Sequence, residues 1–227
     1  METVQKRVRL GFRGPASFLV SYAVHLSRGM LVLPSSRPVE LGEQILVELE
    51  IPGQGKFSEK ATVVSQQPDD RPLSFSVEID QSPELLLQTD ALVEKYAREA
   101  RGMRVLVVAR DKHTRQNLKR QVRSTVASAQ VGFAKTPQSA APLLGNVPEL
   151  ALIDLGDELE QVQSLWSLCQ SASPPLPCLL IASDETMAEQ LHSYGAWDVL
   201  VSPPSASDFR RAVLKTLARP LILEEVL

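Results

Sequence analysis

The sequence lacks most of what marks a secreted, membrane-bound or catalytic protein. No apolar run approaches the ~20 residues a membrane span needs, and the opening METVQKRVRL has no apolar core of the secretory kind. A cytosolic protein is the expectation. Cysteine occurs twice, at Cys169 and Cys178, with no His or Cys at metal-ligand spacing, so both are read as reduced core thiols. No GxSxG, P-loop or HExxH pattern is present, and the glycines are too scattered to cradle a phosphate. His113 and His192 stand alone on expected helices. Neither an enzyme nor a metal site is expected. A surplus of one charge is missing too: residues 1–101 hold 12 basic and 14 acidic side chains, and residues 102–227 hold 12 and 13. Neither half reads as a basic nucleic-acid binder.

What is present suits two small globular domains. The chain has 227 residues, 44% of them hydrophobic and 22% charged, which is ordinary composition at a length comfortable for two cores. Up to about residue 80 the sequence reads as short strands: 4–12, Phe18 to Val24, Met30 to Leu33, Gln44 to Ile51, Ser58 to Ser65 and Leu73 to Ile79. Turn signals SSRP, PGQG and QQPDDRP separate several of them. That spacing predicts a small closed barrel over 1–81. Ser82 followed by Pro83 and Glu84 opens a linker helix over 82–102, with Leu85, Leu86, Val93 and Tyr96 roughly on one face and Gly102 as its stop.

From Met103 the periodicity changes. VLVV (105–108), LALI (150–153), CLLIA (178–182) and VLVS (199–202) are uninterrupted apolar runs, as in a parallel sheet buried on both faces. Helical stretches at about 112–124, 137–144, 157–171, 185–194 and 206–218 lie between or after them. Strands alternating with helices predict a doubly wound α/β domain over 103–219, with function at the carboxyl ends of the strands, and a short tail over 220–227.

The segments RVLVVARDKHTRQNL, ELALIDLG, PCLLIAS and YGAWDVLVSPP, in that order, resemble the receiver domains of bacterial response regulators in two-component signalling. The resemblance implies a CheY-like fold in which Asp154 is the phosphoacceptor position. It also implies an acidic pair after the first strand, and Ala109 and Arg110 stand there; Asp111, one place on, resembles a third acid. Ala182 stands for the usual Thr or Ser, with Ser183 adjacent, Val199 for the aromatic switch, and Ser202 for the lysine before Pro203. An arginine in a magnesium site repels each ionic charge by roughly 4 kcal/mol at ~4 Å and an effective dielectric of about 20. The implied domain is therefore a pseudo-receiver. Two roles are open to Asp154: an ion pair with Arg110, or capping of the following loop.

FLVSYAVHLSRGM, followed by LGEQILVELEIPGQGKFSEKATVVSQQPDDRPLSFSVEI, resembles PilZ domains, the small barrels that bind cyclic di-GMP. That family binds its ligand through RxxxR and D/NxSxxG motifs. Here the second reads His25, Leu26, Ser27, Arg28, Gly29, Met30, and Arg9 and Arg13 spell RxxxR at an offset that breaks the alignment. Six basic residues (Lys6, Arg7, Arg9, Arg13, Arg28, Arg37) face one acid, Glu2, in the first 37. This surplus suits either an anionic ligand or a charged edge strand.

The expectation is a bacterial signalling adaptor without a cofactor, working through protein partners in motility or cell polarity. Trp197, Phe209, Arg210 and Arg211 are its candidate partner surface. The apolar tail LILEEVL is read as adding a strand or docking on a neighbour. The alternatives are a cyclic di-GMP receptor using Arg9, Arg13, Ser27 and Arg28, and a response regulator phosphorylated on Asp154.

Overall fold

The computed structural model describes residues 6–34, 39–51, 55–67, 74–99, 102–196 and 198–226. The turn signal SSRP and most of PGQG and QQPDDRP lie outside them, as do Arg37 and Trp197. The chain divides into two compact units, Met1–Ala100 with Ala218–Leu227, and Arg101–Leu217.

The first unit runs β1 (Arg7–Gly11), α1 (Pro15–Val24), a 3₁₀ turn (Leu26–Arg28), β2 (Met30–Pro34), β3 (Gln44–Ile51), β4 (Gly55–Gln67), β5 (Ser74–Ile79) and α2 (Pro83–Glu99), and is completed by β11 (Leu221–Val226). The strands form one sheet in the order β11-β1-β3-β4-β5-β2. β1 is antiparallel to β11 and parallel to β3, and the remaining pairs are antiparallel. Strict alternation in β3 sends Ile45, Val47, Leu49 and Ile51 into the core and Glu48 and Glu50 to the other face. Val8, Leu10, Phe75, Val77, Leu31 and Leu33 join that core. Each such side chain contributes about 1.5–3 kcal/mol of burial.

The all-β barrel expected over 1–81 does not form as such. Phe18 to Val24, read as a strand, lies in helix α1. The buried positions are Gly14, Ser17, Phe18 and Ser21, a helical spacing hidden from an apolar count because two of them are serines. Pro15 occupies the first turn, where its missing N–H costs nothing, and Ser17 Oγ accepts from the Gly14 N–H at 3.2 Å while donating to its carbonyl at 2.9 Å. Phe18 anchors the helix, edge-on to Phe12 at 5.3 Å and to Tyr96 of α2 at 6.2 Å. The described residues show no pairing between the outer strands β2 and β11 that would close the sheet.

α2 begins where the capping signal places it: Ser82 Oγ accepts from the Leu85 N–H at 3.2 Å, with Pro83 following. Its buried stripe is Leu85, Thr89 and Leu92, with Val93 and Tyr96 packed alongside; Leu86 is exposed. Tyr22 of α1 donates to Asp90 of α2 at 2.6 Å.

The second unit alternates β6 (Arg104–Ala109), α3 (Lys112–Thr125), β7 (Gln130–Ala134), α4 (Pro137–Leu144), β8 (Leu150–Asp154), α5 (Leu159–Gln170), β9 (Cys178–Ala182), α6 (Glu185–Ser193), β10 (Asp198–Val201) and α7 (Ala206–Ala218). Its parallel sheet has the order β10-β9-β8-β6-β7. Numbered from β6 this is 2-1-3-4-5, the flavodoxin- and CheY-like order. One core cluster joins Leu106 and Val108 of β6 and Ile153 of β8 to Ala140 of α4, Leu165 of α5 and Leu191 of α6. Val105, Val107 and Leu152 point to the opposite face. On that face α3 packs on β6 with Leu118 and Val122 buried, and Phe209 and Val213 of α7 are buried as well. Cys169 and Cys178 are both buried thiols.

Replacing Phe18 by Ala is expected to lower stability by about 3–5 kcal/mol in urea unfolding, whereas Ser27→Ala in the exposed turn should stay within about 0.5 kcal/mol. A chain ending at Arg219 lacks β11, so hydrogen exchange at the β1 amides should accelerate while exchange in β3 and β4 changes less.

Candidate functional site

In the parallel unit the carboxyl ends of β6, β8 and β9 converge where the strand order reverses, between β6 and β8, the usual ligand crevice of such sheets. Asp154 closes β8 directly opposite Ala109, the last residue of β6. Ala109 is fully buried and carries no oxygen for a cation. Among the described residues the Asp154 carboxylate accepts one bond, from the Gly156 N–H at 3.4 Å. Its half-buried position raises its pKa by desolvation, opposed by that single bond.

Arg110 does not pair with Asp154. Its guanidinium donates to Glu158 Oε1 at 2.7 Å, so the loop after β6 is tied to the start of α5. Asp111 is also committed elsewhere, because its carboxylate accepts the Thr114 N–H at 2.7 Å as the N-cap of α3, and that bond lowers its pKa. Arg115 of the same helix donates to the carbonyls of Ala109 and Arg110 at 2.6 Å each, which fixes the loop. At the end of β9, Ala182 is buried, and Ser183 beside it donates to the Met187 sulfur at 3.6 Å. Asp184 caps α6 through the Met187 N–H at 2.8 Å. Ser202 is exposed, and its N–H donates to the Ala182 carbonyl at 2.8 Å. Val199 packs against the core. Among the described residues no three His, Cys, Asp or Glu side chains converge as metal ligands.

The residues expected to form a partner surface take other roles. Phe209 is 1% exposed and belongs to the core, since it is the inward position of the α7 stripe Phe209, Val213, Leu217. Arg210 donates to the Ser124 carbonyl of α3 at 3.5 Å, and Arg211 pairs with Asp208 one turn back. Trp197 lies outside the described residues. His192 binds the Ala196 carbonyl through Nδ1 at 2.9 Å.

The basic surplus near the N-terminus meets carboxylates. β1 is not an edge strand but lies between β3 and β11. Arg9 pairs with Glu50 at 2.6 Å, Arg7 with Glu48 and with Glu224 of β11, and Lys6 with Glu43 at 2.5 Å. The Arg9–Glu50 bond raises the pKa of the arginine and lowers that of the carboxylate. Arg13 lies at the bend between β1 and α1. Ser27 and Arg28 are exposed in the 3₁₀ turn. His25 ends α1, and its carbonyl accepts the Arg28 and Met30 N–H groups at 2.9 and 3.2 Å. Desolvation and the Arg28 charge lower the His25 pKa, favouring the neutral imidazole. The positive φ of this turn, 69°, falls on Gly29, so Met30 can begin β2 as ordinary extended backbone.

Glu158, Glu50 and Glu224 belong to no motif that singles them out in the sequence. The alternation of VELEI in β3 against RVR in β1 is the available signal for Glu48 and Glu50. Glu224 needs the return of the chain, and Glu158 needs the loop geometry.

No family model and no curated protein matches the chain. Among solved structures, the signal receiver domain of the response regulator NarL from Mycobacterium tuberculosis is 23% identical, with a TM-score of 0.43 over 51% of this chain and 96% of that one. A response regulator from Thermotoga maritima is 18% identical, with a TM-score of 0.44 over 52% and 98%. A pilus assembly-related protein from Burkholderia pseudomallei is 20% identical, with a TM-score of 0.41 over 51% and 90%. The structural neighbours are largely receiver domains, each covering about half of this chain.

A carboxyl whose folded-state pKa exceeds its unfolded value binds more protons when folded, so stability falls as pH rises through the window between the two. Asp154→Asn removes that burden while keeping an acceptor for Gly156. The expected result is a higher urea midpoint at pH 7, with the advantage closing as the pH falls toward the carboxyl's ordinary 3.8.

Proposed function

We propose that this chain is a non-enzymatic bacterial signalling adaptor that acts through protein contacts, with Asp phosphorylation and cyclic di-GMP binding both lost. The observation that carries the reading is the Arg110–Glu158 pair beside Asp154. A receiver needs carboxylates after its first strand to hold magnesium against the phosphoryl oxygens. Here that place holds a buried methyl group, a guanidinium committed to Glu158, and an aspartate committed to capping α3. Ser202, standing where a lysine would meet the phosphoryl group, supplies no cation.

The first unit supports the same reading. Its resemblance to PilZ domains rests on the sequence segments FLVSYAVHLSRGM and LGEQILVELEIPGQGKFSEKATVVSQQPDDRPLSFSVEI; α1, which spans most of the first, and the parallel β1–β3 pair depart from an all-β barrel. Arg9, the one candidate ligand arginine inside a strand, is paired with Glu50. The proposed process, motility or cell polarity, follows from that resemblance.

Two experiments test the reading. With magnesium and either acetyl phosphate or beryllium fluoride, the Asp154 and Gly156 amide resonances should not move; a saturable shift would make the chain a phosphorylated regulator. Calorimetry with cyclic di-GMP should give no saturable heat. Micromolar binding abolished by Arg13→Ala or Arg28→Ala would replace the adaptor with a nucleotide receptor.

A further inference from the structure

The near-balance of charge in residues 102–227 conceals a sharp separation. Residues 102–148 contain eight Lys and Arg (Arg104, Arg110, Lys112, Arg115, Lys119, Arg120, Arg123 and Lys135) and one acid, Asp111. Residues 149–200 contain nine Asp and Glu and no Lys or Arg. The fold turns this sequence order into two faces. α3 carries five of the bases and lies with α7 on one side of the parallel sheet, where Arg210 adds to it through its bond to Ser124. α5 and α6 pack together on the other side, joined through the core cluster that contains neither α3 nor α7.

Both faces are left unsatisfied. Among the described residues, Lys112, Arg115, Lys119, Arg120 and Arg123 take part in no ion pair. Their contacts are with neutral groups: Asn117, the carbonyls of Ala109, Arg110 and Ala129, and the Phe133 ring. On the acidic side Asp157, Glu160, Asp184, Glu185 and Glu189 are exposed, and no cation pairs with these five among the described residues. A helix with five bases and no acid repels itself, and a surface with five exposed carboxylates outside any ion pair does likewise.

From this complementarity we propose that the α3/α7 face is a docking surface for a second copy of this chain, which presents its α5/α6 face. The contact is heterologous, head to tail, because the two surfaces differ and lie on opposite sides of one sheet, and such contacts propagate unless the rotation closes a ring. It draws on long-range attraction between exposed charges, so it weakens steeply with salt as the screening length falls from about 30 Å at 0.01 M to about 10 Å at 0.1 M. The proposal does not rest on the adaptor reading, since a chain that bound nucleotide or phosphate would carry the same two faces.

Charge reversal on the full chain tests it. Arg120→Glu with Arg123→Glu nearly cancels the charge of the five α3 bases, leaving Lys112, Arg115 and Lys119 against two carboxylates, and Glu185→Lys with Glu189→Lys does the same to the five carboxylates, leaving Asp157, Glu160 and Asp184 against two cations; all four substituted side chains are exposed. Light scattering at low salt should give a mass above one chain for the native protein, falling to one chain at about 0.5 M salt, where screening is nearly complete. Each reversed variant alone should be a single chain, with circular dichroism matching the native protein. An equimolar mixture of the two should associate again, because the unaltered acidic face of one variant then meets the unaltered basic face of the other. A single chain at low salt, or association untouched by either reversal, overturns the proposal. So does capture of a short DNA duplex that is lost with Arg120→Glu and Arg123→Glu while the protein itself stays monomeric, which would assign the basic face to nucleic acid.

Discussion

The first unit depends on strand β1 being held on both edges. Its neighbours come from far along the chain: Arg9 lies opposite Glu48 of β3 and Glu224 of β11. Leu10 and Val8 sink into the core on one face, where Ile222 packs beside them. That arrangement forces the strand's other face, with Arg7 and Arg9, to lie between two strands that carry glutamates. The sequence between β1 and β11 includes the whole second unit, so the first sheet is complete only when residues after that unit return to it. Loop closure of this length costs little more than closure of a much shorter one, because the entropy grows only with the logarithm of length.

The ion pairs that result do not hold the fold together. Exposed pairs such as Arg7–Glu224 or Arg110–Glu158 contribute about 0–1 kcal/mol each, against about 1.5–3 kcal/mol for each buried Leu, Ile or Phe. Their consequence is chemical. A guanidinium already bonded to a carboxylate is poorly placed to bind a phosphate, since the ligand would have to displace its partner. At β1 the committed guanidinium is that of Arg9, bonded to Glu50; at β6 it is that of Arg110, bonded to Glu158. Asp154 is left half-buried with one weak bond, and desolvation favours its neutral form.

The second unit is legible in sequence because its strands are buried on both faces. VLVV, LALI and CLLIA are apolar without interruption, and the helices α3, α4 and α6 have clear caps at Asp111, Thr136 and Asp184. β7 is harder to see: QVGFA is an edge strand, exposed at Gln130 and Gly132, and needs no apolar run. In the first unit, Ser17 and Ser21 on the buried face of α1 break the apolar period and make FLVSYAV look like a strand. Phe209 looks like a surface aromatic because its burial depends on α7 covering the sheet. Counting charge over a whole half conceals that its bases and acids occupy different helices.

The sequence by itself determined the alternating α/β unit, the capped start of α2, and the identities of Ala109, Arg110, Ala182 and Ser202 at the strand ends. These are local properties, set by periodicity, capping chemistry and the identity of a side chain at a strand end. Only the tertiary structure decided that Arg110 reaches Glu158 rather than Asp154, that Glu50 and Glu224 meet the arginines of β1, that LILEEV completes the first sheet, and that the basic and acidic segments face opposite ways. Each of these joins residues through strand register or helix packing, and a side chain's partner across a sheet is fixed by the fold of both strands, not by either sequence alone.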